Sequence, residues 1–205
     1  MKALLLVDLQ NDFTPDGALP VPEGDQIVPL INKLQKKFDL LVATQDWHPA
    51  DHESFAVHHN KQAGEIVMLY GVEQILWPVH CVQNSYGAAF IDGLNTEKFA
   101  WICQKGMNKK VDSYSGFFEN DHQQATGMDA FLKERGVSEI YITGLATDYC
   151  VKFTALDARS LGYPTYLIAD ATRGVNLSEG DAEKAIGEMS SAGVTVVQSS
   201  EIFSN

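Results

Sequence analysis

The chain has 205 residues, enough for one compact domain with a sizeable buried core. Fifteen Lys and Arg against 27 Asp and Glu leave a net charge of −12. That balance argues against nucleic acid or an anionic membrane surface as a partner, because both recruit clustered Lys and Arg. Along the chain, no apolar run approaches the ~20 residues that span a bilayer, and the first residues lack the long apolar segment and cleavage site of a signal peptide. Cys81, Cys103 and Cys150 cannot all pair with one another, so a cytoplasmic protein with free thiols is expected.

In chain order, short β-branched apolar runs predict strands over Ala3–Val7, Leu40–Thr44, Phe99–Cys103, Glu139–Thr143, Pro164–Ala169 and Val194–Val197. Their continuous apolarity suggests strands covered on both faces, as in a parallel sheet. Ile27, Leu30, Ile31 and Leu34 share one helical face; so do Met128, Phe131, Leu132 and Arg135. Val151, Ala155, Ala158 and Leu161 form a third such row, and Ala182, Ile186 and Met189 a fourth, with Ser178 and Asp181 offering a cap. Gly136, Gly162 and Gly193 stop the last three helices, each just ahead of a predicted strand. This is the grammar of right-handed βαβ units. The expected fold is a three-layer, doubly wound α/β sandwich with a mostly parallel sheet of about six strands, as a single domain over 1–205. Asp46 to about Lys98 stands apart: it holds five of the six histidines and two of the three tryptophans, with little regular periodicity. So long a loop in a compact domain is usually functional.

Open parallel sheets bind ligands beyond the carboxyl ends of their strands. The first strand runs into Asp8, the second into Asp46-Trp47-His48, the third into Lys105, and the fourth into Gly144-Leu145-Ala146-Thr147-Asp148-Tyr149-Cys150. Cys150 falls in a first helical turn, where the helix terminus and a nearby cation favour the thiolate. Cys81 and Cys103 read as small buried hydrophobes. Asp8 is either a turn former or a general base for the thiol; Lys105 is either a surface side chain or a buried counter-ion. Asp46 and His48 are two apart at a strand end and project to the same side. His80 could complete a three-donor shell suited to Zn²⁺, Fe²⁺ or Mn²⁺, with His52 a candidate fourth donor. His58, His59 and His122 are expected on solvated loops.

Five segments occur in an order that resembles one family: Asp8-Leu9-Gln10-Asn11-Asp12-Phe13, Thr44-Gln45-Asp46-Trp47-His48-Pro49, Trp77-Pro78-Val79-His80-Cys81, Lys105-Gly106 and Gly144 to Val151. Across essentially its whole length the chain resembles the nicotinamidases and pyrazinamidases of the isochorismatase-like cysteine hydrolases. The resemblance implies Asp8, Lys105 and Cys150 as catalytic residues and the Ala146 and Cys150 N–H groups as an oxyanion hole beside a cis Leu145–Ala146 peptide. It implies one divalent ion, zinc before iron or manganese, on Asp46, His48 and His80, where it would meet the ring nitrogen of the substrate. Phe13, Trp77, Tyr114, Leu145 and Tyr149 would bind that substrate, nicotinamide or a related aryl carboxamide such as pyrazinamide. Hydrolysis through a thioester to nicotinate and ammonia, in NAD salvage, is the implied activity, by a monomer or homodimer. Some relatives place a fourth ligand after the first histidine; His52 sits at a shorter spacing and is left outside the set. The competing expectations are a metal-free relative acting on isochorismate, a carbamoyl compound or a ureido acid, and a non-catalytic ligand-binding module.

Overall fold

A computed structural model describes residues 1–204. Among them the elements run β1 (Lys2–Val7), α1 (Val28–Leu34), β2 (Leu40–Asp46), β3 (Ile66–Leu69), β4 (Val72–Ile75), β5 (Trp101–Lys105), α2 (Met128–Glu134), β6 (Glu139–Leu145), α3 (Lys152–Ser160), β7 (Thr165–Arg173), α4 (Asp181–Ser191), β8 (Thr195–Val197) and α5 (Ser199–Phe203).

Six strands form one sheet in the order β5-β2-β1-β6-β7-β8, and every pairing in it is parallel. Alternate residues of β1 serve opposite layers. Leu4 and Leu6 join Val28, Ile31 and Leu34 of α1, with Ile202 of α5 against the same core. Ala3, Leu5 and Val7 join Met128 and Leu132 of α2, Ala155 and Ala158 of α3, and Met189 of α4. That is the expected three-layer sandwich, and it explains the unbroken apolar run in β1: both faces are covered. From β1 the chain winds outward to β2 and β5 with α1 on one layer, then returns to β6 and winds the other way through α3. The reversal lies between β1 and β6, the place where this architecture leaves a crevice at the strand ends.

Gly136, Gly162 and Gly193, at φ of 66°, 92° and 89°, follow α2, α3 and α4 in the left-handed turn expected of them. The start of α4 differs in detail. Its N-cap is Gly180; Asp181 accepts from the Ser178 N–H at 2.8 Å, and Asn176 Oδ1 takes the Ala182 N–H at 2.9 Å.

Two departures from the predicted elements matter for the site. The third strand begins at Trp101, two residues late, and runs on to Lys105, whose register partner is Asp46. As an edge strand β5 buries only alternate residues, Cys103 and Lys105 inward with Ile102 and Gln104 outward. The stretch from Asp46 to Lys98 also contains an antiparallel hairpin, β3–β4, unanticipated in the sequence. Its two-residue turn is Tyr70-Gly71, both at positive φ (50° and 87°), the geometry usually filled by Asn-Gly or Asp-Gly. The aromatic residue at the first turn position hid the signal. The short α5 went unread because its capping box uses Gln198 with Glu201 in place of the common Ser or Thr. Among the described residues no helix is long and apolar enough to cross a membrane.

Candidate active site

Four neighbouring strands, β5, β2, β1 and β6, deliver Lys105, Asp46, Asp8 and Cys150 to one edge of the sheet. Asp8 leaves β1 at φ 45° with its side chain wholly buried. Thr44 Oγ1 donates to Asp8 Oδ1 at 2.6 Å and takes the Asp8 N–H at 3.2 Å. Lys105 Nζ, also wholly buried, lies 2.9 Å from Asp8 Oδ2 and 2.6 Å from Asp46 Oδ1. The same ammonium donates to the Ser113 carbonyl at 2.8 Å and lies 3.4 Å from Cys150 Sγ. An ammonium this deep is tolerable only because two carboxylates surround it. Burial opposes its charge, yet Asp46 and Asp8 hold its pKa well above the usual lysine value.

The thiol behaves differently from expectation. Cys150 sits in a π-helical turn, Thr147–Val151, ahead of α3. Burial pushes its pKa well above that of a free thiol; Lys105 pulls the other way and is outweighed with the help of Asp8 and Asp46. Burial and the two carboxylates thus favour the thiol, whose proton a base would take as the sulfur attacks. Asp8 suits that part. Burial raises its proton affinity against the pull of Lys105, and its Oδ2 has no well-directed hydrogen bond of its own.

Beside this trio, donor atoms of Asp46, His48 and His80 all lie within 4.8 Å of one another, and all three residues are buried. His48 Nδ1 faces Gly106 O at 2.9 Å and His80 Nδ1 faces Pro78 O at 2.8 Å. A ring that donates from Nδ1 presents a bare Nε2, the arrangement found in histidines that bind metal ions. His48 Nε2 is buried without a hydrogen-bond partner. Gly106 leaves room for that ring: a Cβ there would come within 2.4 Å of His48 Cε1. Burial disfavours a charge on His48, but the adjacent Asp46 overcomes it and lifts the pKa to about 9. Burial likewise works against charge on Asp46, yet Lys105 and His48 keep its pKa well below the ordinary value. One carboxylate and two imidazoles with aligned lone pairs fit a borderline divalent cation.

A cavity of ≈ 20 Å³ opens onto this cluster, lined by Phe13, Trp77, Tyr114, Ala146, Tyr149 and Cys150, with Asp46 and His80 at its base. Tyr149 meets the Trp77 ring edge-on at 4.8 Å, and Trp77 Nε1 donates to the Tyr114 hydroxyl at 3.0 Å. Tyr114 and Tyr149 also line a cleft of ≈ 300 Å³ bordered by Ile66, Glu73 and Ile75 of the β3–β4 hairpin. A larger cleft of ≈ 480 Å³ beside Asp12 and Asp16 holds no cysteine and no histidine.

Of the five residues expected to bind substrate, Leu145 alone does not line the cavity; Asp8, Lys105 and His48 also lie outside its lining. The Leu145 side chain is wholly buried in the core. It takes part through its backbone: the Leu145–Ala146 peptide is cis. Cys81 and Cys103 are buried, and burial raises the pKa of each. His52 is buried beside His48, with ring centroids 4.6 Å apart, outside the Asp46/His48/His80 set. His58 and His122 are exposed and His59 half-buried. Sequence reasoning missed Leu19, Asp112 and Val175, which also line the cavity, and Thr44, which holds Asp8. Thr44 was legible in one respect, since it faces Asp8 across adjacent strands; Asp112 lies in a loop and carried no signal.

Residues 2–201 match the isochorismatase domain family. The chain is 49% identical over 199 residues to the nicotinamidase of Escherichia coli (strain K12), covering 95% of this chain and 93% of that protein. The structure of an Acinetobacter baumanii nicotinamidase/pyrazinamidase is similar at a TM-score of 0.95 and 45% identity, over 98% of this chain and 97% of that one. A zinc complex of the pyrazinamidase of Pyrococcus horikoshii is similar at a TM-score of 0.79 and 41% identity, over 96% and 98% of the two chains.

Proposed function

The chain belongs to the isochorismatase family, and from that premise we propose that it is a metal-containing cysteine amidohydrolase converting nicotinamide to nicotinate and ammonia. One observation carries the reading: a buried thiol, its base and an ammonium meet beside a three-donor cation set, in a chain 49% identical to a nicotinamidase.

Asp8 Oδ2 takes the Cys150 proton as Sγ bonds to the carboxamide carbon. Lys105 stays protonated between Asp8 and Asp46, so charge moves within the cluster without a new ion being buried. The N–H groups of Ala146 and Cys150 would receive the oxyanion, where losing one donor typically costs ~3 kcal/mol of barrier. The carbon–nitrogen bond then breaks, Asp8 returns the proton to the departing ammonia, and a thioester remains on Cys150. Water adds to the thioester, the carbon–sulfur bond breaks with its electron pair on Sγ, and the water's proton restores the thiol. Asp46, His48 and His80 would hold a divalent cation, zinc before iron or manganese by donor type, which when bound supplies a Lewis-acid contact for the ring nitrogen. Phe13 and Trp77 would enclose the ring, with Tyr114 and Tyr149 closing over it.

The convergence of buried Asp46, His48 and His80 donor atoms within 4.8 Å of one another speaks against the metal-free alternative. Ammonia release from nicotinamide by the purified protein, with and without a chelator, tests the reading. Release that stops on chelation and returns with added zinc is expected. No release from nicotinamide by metal-replete protein would overturn it. Pyrazinamide is expected to be hydrolysed too.

A further inference from the structure

Three histidines crowd the cation set, and they differ in what their Nδ1 atoms face. For His48 and His80 it is a carbonyl oxygen, so Nδ1 carries the proton. For His52 it is a backbone N–H: Ser54 N donates to His52 Nδ1 at 3.1 Å, with Ser54 Oγ 2.7 Å from the same atom. A nitrogen that accepts must keep its lone pair, so the neutral His52 ring carries its proton on Nε2. That Nε2–H is buried and has no partner among the described residues. Among those residues it has no carboxylate in contact, whereas the Nε2 atoms of His48 and His80 face Asp46.

The nearby carboxylate is that of Asp112. A ring nitrogen of His48, one of His52 and a carboxylate oxygen of Asp112 lie within 4.8 Å of one another. Asp112 accepts from the Ser113 N–H at 2.7 Å and from Gln74 Nε2 at 3.3 Å, which leaves lone pairs to spare, and it lines the cavity that holds Cys150. No hydrogen bond or ion pair joins His52 to Asp112 among the described residues. Their separation suits a single water about 2.8 Å from each.

We propose that His52 is not a ligand of the cation but a positioning residue: its Nε2–H and the Asp112 carboxylate together hold one water beside His48. His48 is common to both groups of three and links that water to the donor set. The assignment rests on the reading of Asp46, His48 and His80 as the cation's donors.

Three measurements decide it. Long-range ¹⁵N–¹H NMR of the zinc-free protein is expected to show His52 protonated at Nε2, with His48 and His80 protonated at Nδ1; a His52 proton on Nδ1 overturns the assignment. X-ray absorption of the zinc-loaded protein is expected to count two imidazoles, both in the parent and in His52→Ala. Three imidazoles falling to two in that variant would show His52 to be a ligand and overturn this inference alone. Absence of bound zinc would overturn the donor-set reading and this one with it. Zinc affinity should fall about 10–100-fold in His52→Ala, the usual effect of losing an outer hydrogen bond. It should recover in His52→Gln, which keeps a donor. Unchanged affinity in His52→Ala, in protein with a native circular dichroism spectrum, also overturns it.

Discussion

The ammonium of Lys105 lies 2.6 Å from Asp46 Oδ1, a contact set by the register that pairs these two residues across β5 and β2. The other oxygen of Asp46 faces His48 Nε2 at 3.5 Å and His80 Nε2 at 3.8 Å. One carboxylate is therefore shared between the cation donors and the neighbour of the nucleophile.

Asp46→Asn should then separate two effects. It removes a cation donor, so metal content and ammonia release fall together. It also removes a negative charge that raises the Cys150 pKa. Compared metal-free at one pH, the variant should alkylate Cys150 several-fold faster than the parent. Iodoacetamide labelling followed by peptide mass analysis reads this, and slower labelling would contradict the charge balance described.

Lys105→Met leaves Asp8 and Asp46 buried without their counter-ion. Breaking a buried pair in this way costs about 3–5 kcal/mol of stability, measurable by urea unfolding at neutral pH. The sign with pH follows from Asp46, whose folded pKa lies well below its unfolded value. Its contribution is full above the unfolded carboxylate pKa and is lost as pH falls through the folded one. The gap between parent and variant should therefore narrow in acid.

Thr44→Val removes the hydroxyl that donates to Asp8 Oδ1. That bond lowers the Asp8 pKa, so its loss raises an already raised value. The acidic limb of the kcat/KM profile should move to higher pH, and Thr44→Ser should move it back. An unshifted limb would separate Asp8 from the proton transfer.

Asp157 on α3 offers a test remote from the chemistry. Burial raises its pKa, despite a hydrogen bond from Ser115 and the nearby His122, and its Oδ2 is buried without a partner. The folded protein binds this proton more tightly than the unfolded chain. Stability tied to Asp157 is thus present at low pH and lost as pH rises through the folded pKa. Asp157→Asn should raise the melting temperature at pH 7 relative to the parent, with the difference shrinking towards pH 4.

Much of the site was legible because a parallel sheet exports whatever follows its buried strands to one edge. Asp8, Asp46, Lys105 and Cys150 each follow a strand and arrive together. Even the late start of β5 left Lys105 at the strand's end. The thiolate expected at Cys150 was not legible. It was inferred from a helix terminus and a nearby cation; Lys105 does pull that way, but burial and two carboxylates outweigh it. Leu145 was misplaced for a simpler reason: sequence adjacency to Ala146 does not say which way a side chain turns.

Local pattern by itself determined the parallel α/β sandwich, the glycine stops of its helices and the set of residues able to do the chemistry, because apolar period and residue type are properties of short stretches. Only the folded chain decided how the histidines divide their work. His48, His52 and His80 are alike in sequence, and what separates them is the group opposite each Nδ1: a carbonyl from a distant loop, a neighbouring N–H, and a carbonyl two residues back. Proton placement depends on those partners, and one of them, Gly106 for His48, comes from a loop that only tertiary packing brings near.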